Sequence, residues 1–202
     1  MNSKRTDRNQ QISDLVFASI IIAIILILTV TFGYLNTNGI VNITIVHIPV
    51  LVGTVVLGKK YGLLFGTVYG LGSMIMAFIL QAQNIPFTNP LLSVLPRVIF
   101  GYLIVFIYDF FTKIFKTKYA SVPFTMGVAT LVHTLLVLPL LYLFVENKFY
   151  FLSDEFIFDK NPPIFVFFWA VITTNAILEI ILAVTVGSAA TIPLLLLKEK
   201  YE

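Results

Sequence analysis

The sequence predicts an all-α integral membrane protein, a bundle of six transmembrane helices in one domain, 1–202. Three observations carry that expectation. Of 202 residues, 58% are hydrophobic and 11% charged, with a mean hydropathy of +0.97. Soluble domains run at about 45–50% apolar and about 25% charged, so one core could not hide these side chains. Apolar runs long enough to cross about 30 Å of hydrocarbon recur along the chain. The runs are continuously apolar, without the period-two alternation of a membrane barrel.

The elements follow in order. A polar, basic start leads into the first span, 12–32. It is too long for a signal peptide and lacks a small-residue cleavage site. After a Gly- and Asn-rich loop comes the second span, 43–57, short and interrupted by Pro49 and Gly53, and so expected to be tilted or partly unwound. The turn Gly58-Lys59-Lys60 leads to the third span, 61–80. A polar loop with two prolines, 81–90, precedes the fourth, 91–115, which Pro96 and Arg97 should break. A basic turn leads to the fifth, 121–145. A longer acidic and aromatic loop, 146–163, precedes the sixth, 164–197. That last run exceeds the roughly 20 residues needed and should tilt, protrude or bend near Pro193.

Topology follows from the basic residues. Lys4, Arg5, Arg8, Lys59, Lys60, Lys113, Lys116, Lys118, Lys198 and Lys200 fall at one set of helix ends. The opposite set holds Lys148 and Lys160 beside Glu146, Asp154, Glu155 and Asp159. The positive-inside rule then puts both termini in the cytoplasm and three longer loops outside.

Several function classes fall away. With no cysteine, thiolate catalysis, disulfides and Cys-based metal sites are excluded. No P-loop, HExxH or DxD-type pattern occurs, and two distant histidines make no metal site. The net charge of +3 lies in short runs between apolar segments, which is not a nucleic-acid footprint. No enzymatic role, cofactor or metal is expected.

Polar groups inside a span are costly and call for a reason. The chain has His47, Arg97, Asp109, His133, Asn175 and Glu179. Arg97 lies two turns below the outer end of its span, roughly 9 Å deep. Its planar fork suits a ligand carboxylate; the other reading is an ion pair with Glu179 or a bond to helix-end carbonyls. Asn175 and Glu179, at i and i+4, share a helix face and with His133 could form one polar pocket in the outer half. Interhelical hydrogen bonding is their structural alternative. His47 could reach the same place from the short second helix. Asp109 sits one turn from Lys113 and reads as an interfacial ion pair. In the outer loops Asn36, Asn38, Asn42, Gln83, Asn84 and Asn89 could meet a polar ligand or water, and Trp169 could line a pocket or fill the core. Gly62, Gly66 and Gly70 make a GxxxGxxxG ridge that should pack against another helix. Ser19 and Ala23 form a small-residue face on the first helix, for a partner subunit or for internal packing. Asn42-Ile43-Thr44 matches a glycosylation sequon, a weak signal alone.

The stretch from Ile43 through His47, Pro49 and Gly53 to Val56-Leu57-Gly58-Lys59-Lys60-Tyr61-Gly62, with the glycine ridge, resembles the S components of energy-coupling factor (ECF) vitamin transporters. So do Leu95-Pro96-Arg97-Val98-Ile99-Phe100-Gly101 and Thr174-Asn175 with Glu179. The resemblance covers nearly the whole chain and is strongest to pantothenate-type members. It implies a substrate-binding subunit in the plasma membrane of a prokaryote, bound to a coupling transmembrane subunit and two ATP-binding cassette ATPases. It implies that the subunit topples to carry its vitamin inward, and that Ser19 and Ala23 dock the coupling subunit, although Ile20–Ile22 depart from the family's alanine-rich signature there. Pantothenate's carboxylate suits Arg97, and its hydroxyls and amide suit Asn, His and Gln partners. Pyridoxine or hydroxymethylpyrimidine would instead stack on Trp169 or Tyr102. Rival readings from other classes are a structural or assembly membrane protein and a stand-alone proton-coupled carrier.

Overall fold

Every regular element among the described residues of the computed structural model is helical; these residues are 2–35, 45–80, 86–146 and 176–201. Helix α1 spans Asn2–Leu35. Its 34 residues give a rod of about 50 Å, longer than the hydrocarbon, so its polar first turns extend beyond the apolar stretch Arg8–Thr31.

Helix α2, His47–Leu57, has only 11 residues, and those from His47 to Val56 are all buried. At about 16 Å it is too short to face lipid across the bilayer. It sits instead inside the molecule, against α1, α3 and the helices that follow. That explains why its sequence is apolar all round. Its end is fixed by Gly58, whose φ of 90° is closed to most side chains. The Gly58 N–H donates to the Thr54 carbonyl at 2.8 Å, and the chain reverses into α3, Lys59–Leu80.

The fourth expected span is two helices. Asn89 caps the short α4, Pro90–Ser93, its Oδ1 accepting from the Leu91 N–H at 3.0 Å. The break falls at Val94, before α5, Leu95–Phe115. Pro96 lies in the first turn of α5, where a missing N–H costs nothing. Lys116, in the left-handed region at φ 57°, ends α5, and α6 follows as Lys118–Glu146.

The described part of the last span is one helical rod: α7, Ile177–Leu182, a π-helical turn, Ala183–Gly187, and α8, Ser188–Tyr201. The irregularity lies at that π turn, and the helix runs on through Pro193.

Among the described residues, five helical segments are long and apolar enough to span a bilayer, and α2 is a shorter apolar helix. Their outward faces are greasy: Ile27 is 63% exposed, Phe110 59% and Ile79 58%. Such a surface is stable in lipid and not in water.

The basic helix ends gather together. Lys198 Nζ donates to the Val56 carbonyl at 2.9 Å, satisfying an end carbonyl of α2. Lys118 pairs with Glu199 at 2.9 Å, and Tyr119 donates to the same carboxylate. The expected Asp109–Lys113 pair is not formed; both residues are exposed, and water solvates them as well as pairing would.

Candidate ligand-binding site

The glycine ridge builds the floor of the site. A Cβ on Gly62 would strike the Gly101 carbonyl oxygen, and one on Gly66 the Arg97 carbonyl oxygen. One on Gly70 would lie 2.7 Å from Val94 Cα. The backbones of α3 and α5 therefore touch along the ridge, with hydrogen at Cα where lipid-facing helices would carry side chains. Ser93 Oγ donates to the Gly70 carbonyl at 3.2 Å across the same seam. The seam brings Tyr69 of α3 beside Arg97 of α5.

Arg97 is 5% exposed and folds back on α4. Its Nη1 donates to the Ser93 carbonyl at 2.5 Å and the Leu92 carbonyl at 3.4 Å. Helix-end carbonyls, one of the two structural expectations, thus take part of the guanidinium. Its Cζ lies 4.7 Å from the centroid of Tyr69 and 5.4 Å from that of Phe87. Desolvated cation–π contacts of this kind are worth about 2 kcal/mol each. Among the described residues the Nε–H meets no acceptor.

His133 of α6 stands next to this group, with its ring 5.9 Å from Tyr69 and 4.8 Å from Phe100. His47, the first residue of α2, stacks on it at 5.7 Å with 14° between the planes. Residues far apart in sequence are thus brought into one aromatic and cationic cluster. Neither nitrogen of His133 meets a hydrogen-bond partner among the described residues, and nor does the Tyr69 hydroxyl. A neutral imidazole offers one donor and one acceptor, so the ring is equipped for a hydroxyl or an amide. Glu179 of α7 is also buried.

The unsatisfied atoms contrast with the buried hydroxyls nearby. Thr125, Thr130 and Thr134 each donate to a carbonyl four residues back in their own helix, at 2.8, 2.8 and 3.2 Å. Lone buried hydroxyls are therefore normally satisfied here, apart from those of Thr54 and Ser188. The Arg97, Tyr69 and His133 atoms lie together, and leaving each unpaired costs about 1–3 kcal/mol. A partner from the rest of the chain or from a ligand would remove that cost.

Of the other expected site residues, Asn89 is half-buried and its side chain caps α4. Asn84, Trp169 and Asn175 lie outside the described residues, as do Asn36, Asn38, Asn42 and Gln83. Ser19 and Ala23 are both exposed on α1, so they face outward and not into the bundle. Sequence reasoning passed over Tyr69, Phe87 and Phe100. The signal for Tyr69 was there: it lies three residues after Gly66, on the ridge face. A concavity between α6 and the last helix is lined by apolar residues such as Phe124, Leu131 and Ile180. It holds no group that could read a water-soluble ligand.

Comparison with known proteins agrees with this architecture. The chain matches the model of the family described as ECF transporter, substrate-specific component, over residues 13–189. It belongs to that family. The S component is also 25% identical over 205 residues to the pantothenic acid transporter PanT of Lactococcus lactis subsp. cremoris (strain MG1363), across 90% of this chain and 93% of that one. Family membership makes it a multi-pass membrane transport subunit and not an enzyme, with a vitamin as ligand and an ECF module as partner.

Proposed function

We propose that this S component binds pantothenate from outside the cell and delivers it inward with a coupling subunit and two ATPases. The observation that carries the reading is the buried Arg97, whose guanidinium is only partly satisfied among the described residues and adjoins a Tyr69 hydroxyl and a His133 ring that meet no hydrogen-bond partner there. A small molecule with a carboxylate and several hydroxyl or amide groups completes such a set. The likeness to a pantothenic acid transporter supports the same choice. His47, Glu179 and Asn89, with Asn84, Asn175 and Trp169 from the segments not described, are the further residues assigned to the ligand. Exposed Ser19 and Ala23 are assigned to the coupling subunit, as the family pattern implies. The polypeptide has six spans with both termini in the cytoplasm, in the plasma membrane of a prokaryote.

Calorimetric titration of the purified protein with pantothenate tests the reading, and a submicromolar constant is expected. Arg97→Ala should weaken binding by about 2–5 kcal/mol, the cost of removing one partner of a buried charged pair. A thermal melt without ligand checks that the variant is folded, since Arg97 also ties α4 to α5. Unchanged affinity in a folded variant removes Arg97 from the site. Pyridoxine or hydroxymethylpyrimidine binding in place of pantothenate would favour stacking on Tyr69, Phe87 and Phe100 over carboxylate recognition.

A further inference from the structure

Among the described residues, nothing in the bundle requires the Tyr69 hydroxyl. The residue is 2% exposed, deep in α3, and its ring already fills space against Arg97 and His133. A phenylalanine would pack in the same way. Buried tyrosine hydroxyls ordinarily find a partner, and this one has none among the described residues. It lies beside the Arg97 guanidinium without meeting hydrogen-bond geometry. The phenol oxygen could accept from a guanidinium N–H, but the Tyr69 O–H and the Arg97 Nε–H each still lack an acceptor among the described residues.

The acceptor they share has a definite chemistry. Arg97 Nη1 is committed to the Ser93 and Leu92 carbonyls, which fixes the orientation of the guanidinium and leaves the Nε edge open. A phenol and a guanidinium edge on adjacent helices match two oxygens carrying one negative charge, a carboxylate. The Arg97 guanidinium carries its positive charge 4.7 Å from the Tyr69 ring centroid, which attracts an arriving anion. The position is rigid, because the glycine ridge holds Tyr69 and Arg97 through direct backbone contact.

We propose that Tyr69 is a specificity-determining residue whose hydroxyl donates, together with Arg97 Nε–H, to the carboxylate of the ligand. The site then accepts a monocarboxylate and discriminates against its alcohol or amide analogues. This inference rests on the vitamin-binding reading above and adds the residue that sets its charge selectivity.

The test uses the full-length protein in nanodiscs and isothermal titration with pantothenate and panthenol, the analogue in which a primary alcohol replaces the carboxylate. Wild type should bind pantothenate more tightly than panthenol. Tyr69→Phe should weaken pantothenate by about 10- to 100-fold, the loss of one hydrogen bond to a charged group, and leave panthenol unchanged. Its ligand-free melting temperature should stay level or rise, since an unpaired hydroxyl is removed. Equal affinity of Tyr69→Phe and wild type for pantothenate overturns the proposal, and so does an equal loss for both ligands, which would make Tyr69 a packing residue. If wild type ignores pantothenate but binds biotin or nicotinate, the pantothenate reading fails, and Tyr69→Phe is scored on that carboxylate against its amide. Binding of uncharged vitamins alone, or of none, overturns both.

Discussion

At the scale of single residues, hydrogen-bond satisfaction separates structure from function. Thr125, Thr130 and Thr134 are buried hydroxyls that donate to their own helix, so they need no partner beyond it. His133 is as deeply buried, yet neither nitrogen is paired among the described residues, and its ring makes only face and edge contacts with Phe100, Tyr69 and His47. Those two facts predict the behaviour of His133→Phe. The new ring keeps the stacking and removes two unsatisfied polar atoms, so the ligand-free melting temperature should hold or rise. Pantothenate affinity should fall by about tenfold or more, the value of one lost hydrogen bond. A variant that loses stability and keeps affinity would show that His133 serves the fold. Arg97 divides in the same way within one side chain: Nη1 serves the α4–α5 junction, and Nε meets no acceptor among the described residues.

At the scale of elements, α3 and α5 carry the site because they touch through backbone. In a bilayer no hydrophobic force drives helices together, so close packing of small residues does that work. Gly66→Ala places a methyl group against the Arg97 carbonyl, where no flexible side chain can yield. The helices must separate, and overpacking of this kind costs about 1–3 kcal/mol. We expect a lower melting temperature together with weaker ligand binding, because the shift moves Arg97 relative to Tyr69. A melt unchanged from wild type would mean that the seam is looser than its geometry shows. Helix α2 contributes differently. It is buried on every side, and its inner end is secured by Gly58 and by Lys198 from the far end of the chain. His47 at its outer end is thereby held against His133.

At the scale of the molecule, the charge pattern sets orientation. Lys59, Lys60, Lys113, Lys116, Lys118, Lys198 and Lys200 lie at the helix ends joined by the Lys198–Val56 and Lys118–Glu199 contacts. In the orientation proposed above, the positive-inside rule puts that end in the cytoplasm. The chain has no cysteine, so single introduced cysteines report topology cleanly. A membrane-impermeant maleimide applied to whole cells should leave Thr117→Cys unlabelled and label Asn38→Cys. The reverse pattern would invert the assignment. Ser19 and Ala23 are exposed on α1, on the surface where the coupling subunit proposed above would dock.

The sequence by itself determined the lipid setting of this protein and its helical class. Apolar run length and basic-residue bias are local, additive properties, and a bilayer reads them directly. Tertiary structure alone decided that α2 is a buried plug, that the fourth span breaks at Val94, and that Arg97 spends one nitrogen on Ser93 and Leu92. It also brought Tyr69 and Phe100 into the cluster and left Asp109 and Lys113 apart. The physical reason is that satisfaction of a buried donor depends on what another helix places beside it, and no spacing along one helix encodes that.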